Sequence, residues 1–174
     1  IMASELGVQT IQHTNGTDAI TIDSTGRILT PARPAFRAGL SSNFSHGSGV
    51  VDVSANGTWG KEFDIGGNFD TSTGLFTAPV SGLYMFIGNC STNSMTTTIT
   101  YASWEFRINT GRHNLFYTSH DNDGTNSYMG FSNSGFFQLT ANDTVGITSE
   151  ISNSVTLLGT AGLNYSNFSG YLVG

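Results

Sequence analysis

The sequence predicts an all-β chain, and three observations carry that prediction. Gly, Ser, Thr and Asn supply 81 of the 174 residues, Lys occurs once, at Lys61, and charged residues make up only 10%. A helical domain draws on Ala, Leu, Glu and Lys instead, so this small polar and β-branched palette suits strands joined by tight turns. Period-two alternation is the second observation: in Trp104-Glu105-Phe106-Arg107-Ile108 the residues Trp104, Phe106 and Ile108 share one face, which is core. The third is turn chemistry at short, regular intervals. Eight to ten short strands at this spacing fit a two-sheet antiparallel jelly-roll sandwich of about ten strands, with no helix anywhere.

Residues 1–32 hold no Phe, Tyr or Trp and cannot make a core alone. Asn15-Gly16 is a hairpin signal, Ile20 and Ile22 alternate with Thr21 and Asp23, and Asp23-Ser24-Thr25-Gly26 turns again before Arg27-Ile28-Leu29. A lone hairpin is marginal in water, so this extended β arm is expected to pair with copies of itself from neighbouring chains. A flexible linker is the alternative. Pro31 and Pro34 interrupt any hairpin and set the boundary, with the domain proper at 33–174.

Within the domain, Val50, Val51 and Val53 stand among Gly and Asn and read as loop, short strand and turn. From Asp64 to Phe86 the chain reads as strand, turn, strand, corner, strand. Asp70-Thr71-Ser72-Thr73-Gly74 turns into Leu75-Phe76-Thr77, and Pro79, which lacks a ladder N–H, belongs at a corner before the buried strand from Leu83 to Ile87. Thr96 to Tyr101 is a β-propensity run. Asn109-Thr110-Gly111 leads into Leu115-Phe116-Tyr117, and the polar loop Ser119 to Ser127 into a strand near Tyr128. Gly135 to Leu139 and Thr144 to Ile147 follow as strands. Phe69, Phe76, Tyr84, Phe86, Phe136 and Phe168 are expected to fill the core.

The spacing of Asp64, Phe69, Phe76, Gly82, Tyr84 and Phe86 resembles the signature of the globular domain of complement C1q, a family that shares its jelly roll with tumour necrosis factor. Arg33-Pro34-Ala35-Phe36-Arg37-Ala38 resembles that family's opening strand, and Asn167-Phe168-Ser169-Gly170-Tyr171-Leu172 its closing one. Phe36, Phe69, Phe76, Gly82, Tyr84, Phe86, Phe168 and Gly170 are thus the fold-defining positions. Thr58 departs from the pattern where it wants Phe, with Trp59 next to it, and Gly88 departs where it wants an aromatic. The resemblance implies a tight homotrimer about a threefold axis, and some members of the family bind calcium. Residues 11–29 are similar to segments that precede globular tips in bacteriophage fibre proteins.

A net charge of −6 with six basic residues excludes a nucleic-acid surface, which needs clustered Lys and Arg. No apolar run approaches the roughly 20 residues of a membrane span. The chain opens on Ile1, as expected of a processed chain or a piece of a longer one. Cys90 is the one cysteine, expected as a buried thiol on or just after the Leu83 strand. His13, His46, His113 and His120 lie on separate segments and His46-Gly47-Ser48-Gly49 lacks the nucleophile-elbow order, so no enzyme activity is expected.

His120-Asp121-Asn122-Asp123-Gly124-Thr125-Asn126 is the acidic stretch that offers oxygen ligands to Ca²⁺, with Asp121 and Asp123 as donors. It lacks the closing Glu of a calcium loop, and an Asx-rich turn between strands is the favoured explanation, so no metal is assigned. No other cofactor is implied. Trp59, Tyr117 and Tyr128 lie beside polar loops, where an amphipathic ring can stack on a sugar or anchor a protein contact. With His120, Asp121 and Asp123 they form the candidate binding set. The expected role is presentation: a trimeric fibre or tail tip on a bacteriophage virion, joined to other virion proteins through its arm and contacting a host-surface glycan or protein. A capsid decoration or collar protein and a secreted ligand of the complement and tumour necrosis factor type are the alternatives.

Overall fold

The computed structural model describes residues 7–93, 99–119 and 128–174. Elements are numbered along the chain. In the arm, β1 (Thr10–Gln12), β2 (Asp18–Ile22) and β3 (Ile28–Leu29) form a three-stranded antiparallel sheet. Gly16 and Gly26 take φ of 86° and 82° in its two turns, a backbone region that costs glycine little. In the second turn the Asp23 carboxylate accepts from the backbone N–H of Thr25 (2.9 Å) and of Arg27 (3.0 Å).

Two antiparallel sheets build the jelly roll. The first holds β4 (Ala35–Leu40), β5 (Phe44–His46), β7 (Trp59–Ile65), β10 (Gly82–Asn93), β14 (Tyr128–Leu139), β16 (Val155–Leu157) and β17 (Asn167–Leu172). The second holds β6 (Gly49–Asp52), β8 (Phe69–Asp70), β9 (Leu75–Thr77), β11 (Tyr101–Ile108), β12 (Gly111–His113), β13 (Tyr117–Ser119) and β15 (Thr144–Ile151). The expected sandwich is thus present, with more and shorter strands than ten. Strand β10 organises the first sheet: β14 pairs along one side for its whole length, and β17 then β16 along the other.

The core lies between the sheets and is built around an aromatic cluster. Phe36 stacks on Phe69 (5.0 Å between centroids) and Phe76 (4.9 Å) and meets Phe168 edge-on at 4.9 Å. Tyr84 and Phe86 continue the cluster, and the Tyr84 hydroxyl donates to the Val80 carbonyl at 2.8 Å, fixing the corner after Pro79. Asp64 has a local reason to stand at its position: its carboxylate accepts from the backbone N–H of Asn68 (2.9 Å) and Phe69 (3.2 Å) and shapes the turn into β8. Cys90 is buried on β10, as expected, and burial pushes its thiol well above the ordinary range.

Three expectations need correction. A one-turn helix, α1 (Val53–Asn56), replaces the expected turn: Asp52 caps it by accepting from the Ala55 N–H at 3.1 Å, and the Gly57 N–H closes onto the Val53 carbonyl at 2.8 Å. Trp59 is not an exposed loop ring. It is only 5% exposed, donates its indole N–H to the Val53 carbonyl at 3.3 Å and packs edge-on against Phe69. Phe136, expected in the core, is 61% exposed, because adjacent strand residues face opposite ways and Phe137 takes the inward place. In the run from Thr96 to Tyr101, Thr96, Thr97 and Thr98 lie outside the described residues, and Tyr101 opens β11. No helix among the described residues is long and apolar enough to cross a membrane.

Candidate functional site

The outward face of the first sheet is the first surface of interest. On β10, Tyr84, Phe86, Cys90 and Thr92 point inward, so Met85, Ile87, Asn89 and Ser91 point outward. Strand register aligns Met85 with Tyr171, Tyr171 with Ala35, Ala35 with Ile65 and, on the other side, Met85 with Phe136. An apolar band therefore crosses five strands. A cleft of about 290 Å³ in it is lined by Phe63, Met85, Ile87 and Tyr171 among others, and by Arg37, whose charge is paired with Glu62.

Farther along the same face the chemistry changes. Asn89 donates its side-chain N–H to the Asn167 amide oxygen at 3.0 Å, and β14 contributes the small residues Ser132 and Gly130. Beyond them lies a groove of about 260 Å³ with Met129 and Leu158 in its lining and Tyr128 and Tyr165 exposed beside them. Tyr128, at 70% exposed, is the most open large hydrophobic residue among the described residues. The groove lining holds no charged residue.

The outward face of the second sheet holds a closed polar network. Glu105 faces away from the core yet is 0% exposed, because Arg112 covers it with Nε–Oε2 and Nη2–Oε1 bonds of 2.6 and 2.7 Å. Arg112 also donates to Glu150 at 2.6 Å, Ser103 donates to Glu105 at 2.5 Å, and the Tyr117 hydroxyl donates to Glu150 at 2.6 Å. The Tyr117 hydroxyl bond, then Arg112, hold the Glu150 carboxyl below its usual range, and the same bond raises the Tyr117 phenol. Carboxylates committed to a bidentate arginine are poor bases or nucleophiles. Among the described residues no group of three or more His, Cys, Asp or Glu is placed to hold a metal ion.

A family model described as the C1q domain matches residues 35–173. The chain belongs to the C1q domain family. Among solved structures, murine APRIL at pH 5.0 is 14% identical, covering 81% of this chain and 99% of that one, with a TM-score of 0.57. Eiger TNF from S. frugiperda is 14% identical, covering 82% of this chain and 92% of that one, with a TM-score of 0.57. The globular domain of zebrafish complement 1qA is 19% identical over 81% of this chain and 98% of that one, with a TM-score of 0.47. These likenesses are of fold. No curated protein matches the sequence.

Within this C1q domain the sequence-based candidates scatter. Tyr117 is exposed on β13 with its hydroxyl tied to Glu150, while Tyr128 opens β14 beside the charge-free groove. Trp59 is core. His120, Asp121 and Asp123, with the calcium reading that rests on them, lie outside the described residues. Sequence reasoning passed over Ile87, Tyr171 and Tyr165. A signal for the first was present: Leu83-Tyr84-Met85-Phe86-Ile87 is apolar at both parities, the pattern of a strand covered on both faces.

Proposed function

We propose that this C1q domain is a non-enzymatic recognition head that works as a homotrimer. The observation that carries the reading is the apolar band and cleft on the outward face of the first sheet. Monomeric soluble domains rarely leave such a continuous apolar surface open, and one on a charge-poor chain marks an interface. Three copies around an axis cover it. Recognition then falls to side chains that assembly leaves available, Tyr128 and Tyr165 beside their groove foremost, and three identical weak sites gain avidity.

The finer reading places this head at the tip of a bacteriophage fibre or tail, contacting a host-surface glycan or protein, with the arm joining other virion proteins. Supporting it are the β arm before the domain and the similarity of residues 11–29 to segments that precede fibre tips. Electron microscopy of virus particles from the source culture, gold-labelled with antibody against the full chain, tests it. Label at fibre or tail tips is expected. Label over the shell overturns the tip position in favour of capsid decoration, and particles without label overturn the virion role in favour of a secreted ligand.

A further inference from the structure

The arm carries an apolar surface that the jelly roll leaves uncovered. Register pairs Ile11 with Ile20 and Ile22 with Ile28, and Ile20 and Ile22 are two residues apart on β2, so four isoleucines share one face. Ile28 on β3 is 69% exposed and Ile11 on β1, on the other side of β2, is 50% exposed. The opposite face carries Thr21 and Leu29 in register, with Ala19 at the same parity. Ala19 lines a cleft of about 480 Å³ with Pro34, Val80 and Leu172 of the domain. The isoleucine face is therefore turned away from the domain.

We propose that this face packs against the same face of the two other copies, closing three arm sheets into one apolar-centred stalk. The proposal rests on the homotrimer reading above and deepens it. Three observations favour copies of this chain as the occupant. No residue of the three strands, which run two to five residues each, is fully buried, so the arm sheet has no core of its own. The face is entirely isoleucine between its turns, and Asp18, at the end of β2, is held by the Gln12 amide at 2.6 Å. A branched apolar strip of this kind complements itself. Finally, the chain leaves the arm through Pro31 and Pro34 and enters β4 at Ala35, which stands in register between Tyr171 and Ile65 on the apolar band. Copies that share that band start their arms side by side.

Cysteine cross-linking of the full chain tests this. Ile28→Cys and Ile11→Cys report the isoleucine face, Leu29→Cys reports the opposite one, and native Cys90 is buried and silent. After treatment with a short bismaleimide, the two isoleucine-face variants are expected to give cross-linked dimers and trimers several-fold more than Leu29→Cys on denaturing gels. Light scattering is run on the same samples. A trimer that cross-links at Leu29 as well as at Ile28, or at neither, overturns the stalk and leaves the trimeric head standing. A monomer without cross-links overturns both.

Discussion

A Cβ built on Gly88 would lie 2.5 Å from the Trp104 indole nitrogen, so the place where the family pattern wants an aromatic is empty because a ring from the facing sheet fills it. The indole N–H is buried without a hydrogen-bond partner among the described residues, which costs about 1–3 kcal/mol. Trp104 is kept for its volume. Gly170 shows the same economy: a Cβ there would meet the Phe86 ring at 2.3 Å. Trp59 likewise supplies, one residue late, the bulk that Thr58 lacks. His46 poses a different problem, being 1% exposed with Nδ1 2.5 Å from the Gly47 carbonyl and Nε2 3.3 Å from that of Ser149. Burial outweighs those carbonyls and pushes the imidazole below its ordinary 6.5. The unfolded chain then takes up the proton first as pH falls. Stability contributed at this residue is fully present above pH 6.5 and is lost progressively below it, toward the lower folded value. Thermal melts between pH 8 and 5 should show that decline, and His46→Gln should flatten it. The low-lying carboxyls of Asp143 and Glu150 act only at more acid pH, below their ordinary 3.8 and 4.5. An unaltered decline in His46→Gln would show that another group is responsible.

Strands β11, β12 and β13 and their turn behave as one unit, held to β15 by the Glu105–Arg112–Glu150–Tyr117 network. Removing the cation leaves Glu105 buried without its counter-charge, an error that costs about 3–5 kcal/mol. Arg112→Ala is therefore expected to lower the denaturant midpoint strongly, while a Glu105→Leu, Arg112→Met double variant recovers most of the loss. A drop of under about 1 kcal/mol in Arg112→Ala, the range of an exposed pair, would refute this account. The network was illegible in the sequence, because Glu105 looks like the solvent side of an alternating strand and its cover comes from Arg112 across a turn. What was legible had strong local causes. The corner at Pro79, the run from Leu83 to Ile87 and the opening and closing strands combine aromatic periodicity with turn residues that admit few conformations. Helix α1 escaped because four residues make no period, and only the Asp52 cap and the Gly57 closure distinguish it from a turn. Phe136-Phe137 escaped because one of two adjacent rings must face out and nothing local says which. Of the binding candidates, Tyr128 stands on an open surface, whereas Trp59 shows that a ring beside a polar loop is often its floor.

At the scale of the whole molecule the two sheets treat their outward faces differently. The second ties its charged side chains to one another, through the arginine network and the Arg107–Asp52 ion pair of 2.9 Å, and leaves Val50 and Tyr117 open beside them. The first leaves Phe63, Ile65, Ile87, Phe136 and Tyr171 open. That asymmetry separates a surface whose charges are paired within one chain from an apolar one completed by another, and with no disulfide available the stability gained there depends on association. A standard protein interface buries about 800 Å² on each partner, within reach of a band five strands wide. Ile87→Asp places a carboxylate in the lining of the apolar cleft without touching the core, since Ile87 points away from Phe86 and Phe168. The full chain is expected to sediment as a trimer at micromolar concentration, with a melting temperature that rises with concentration. Ile87→Asp is expected to sediment as a folded monomer with the same far-ultraviolet circular dichroism. If the unaltered chain is monomeric, or if Ile87→Asp stays trimeric, the apolar band is not the surface on which the copies meet.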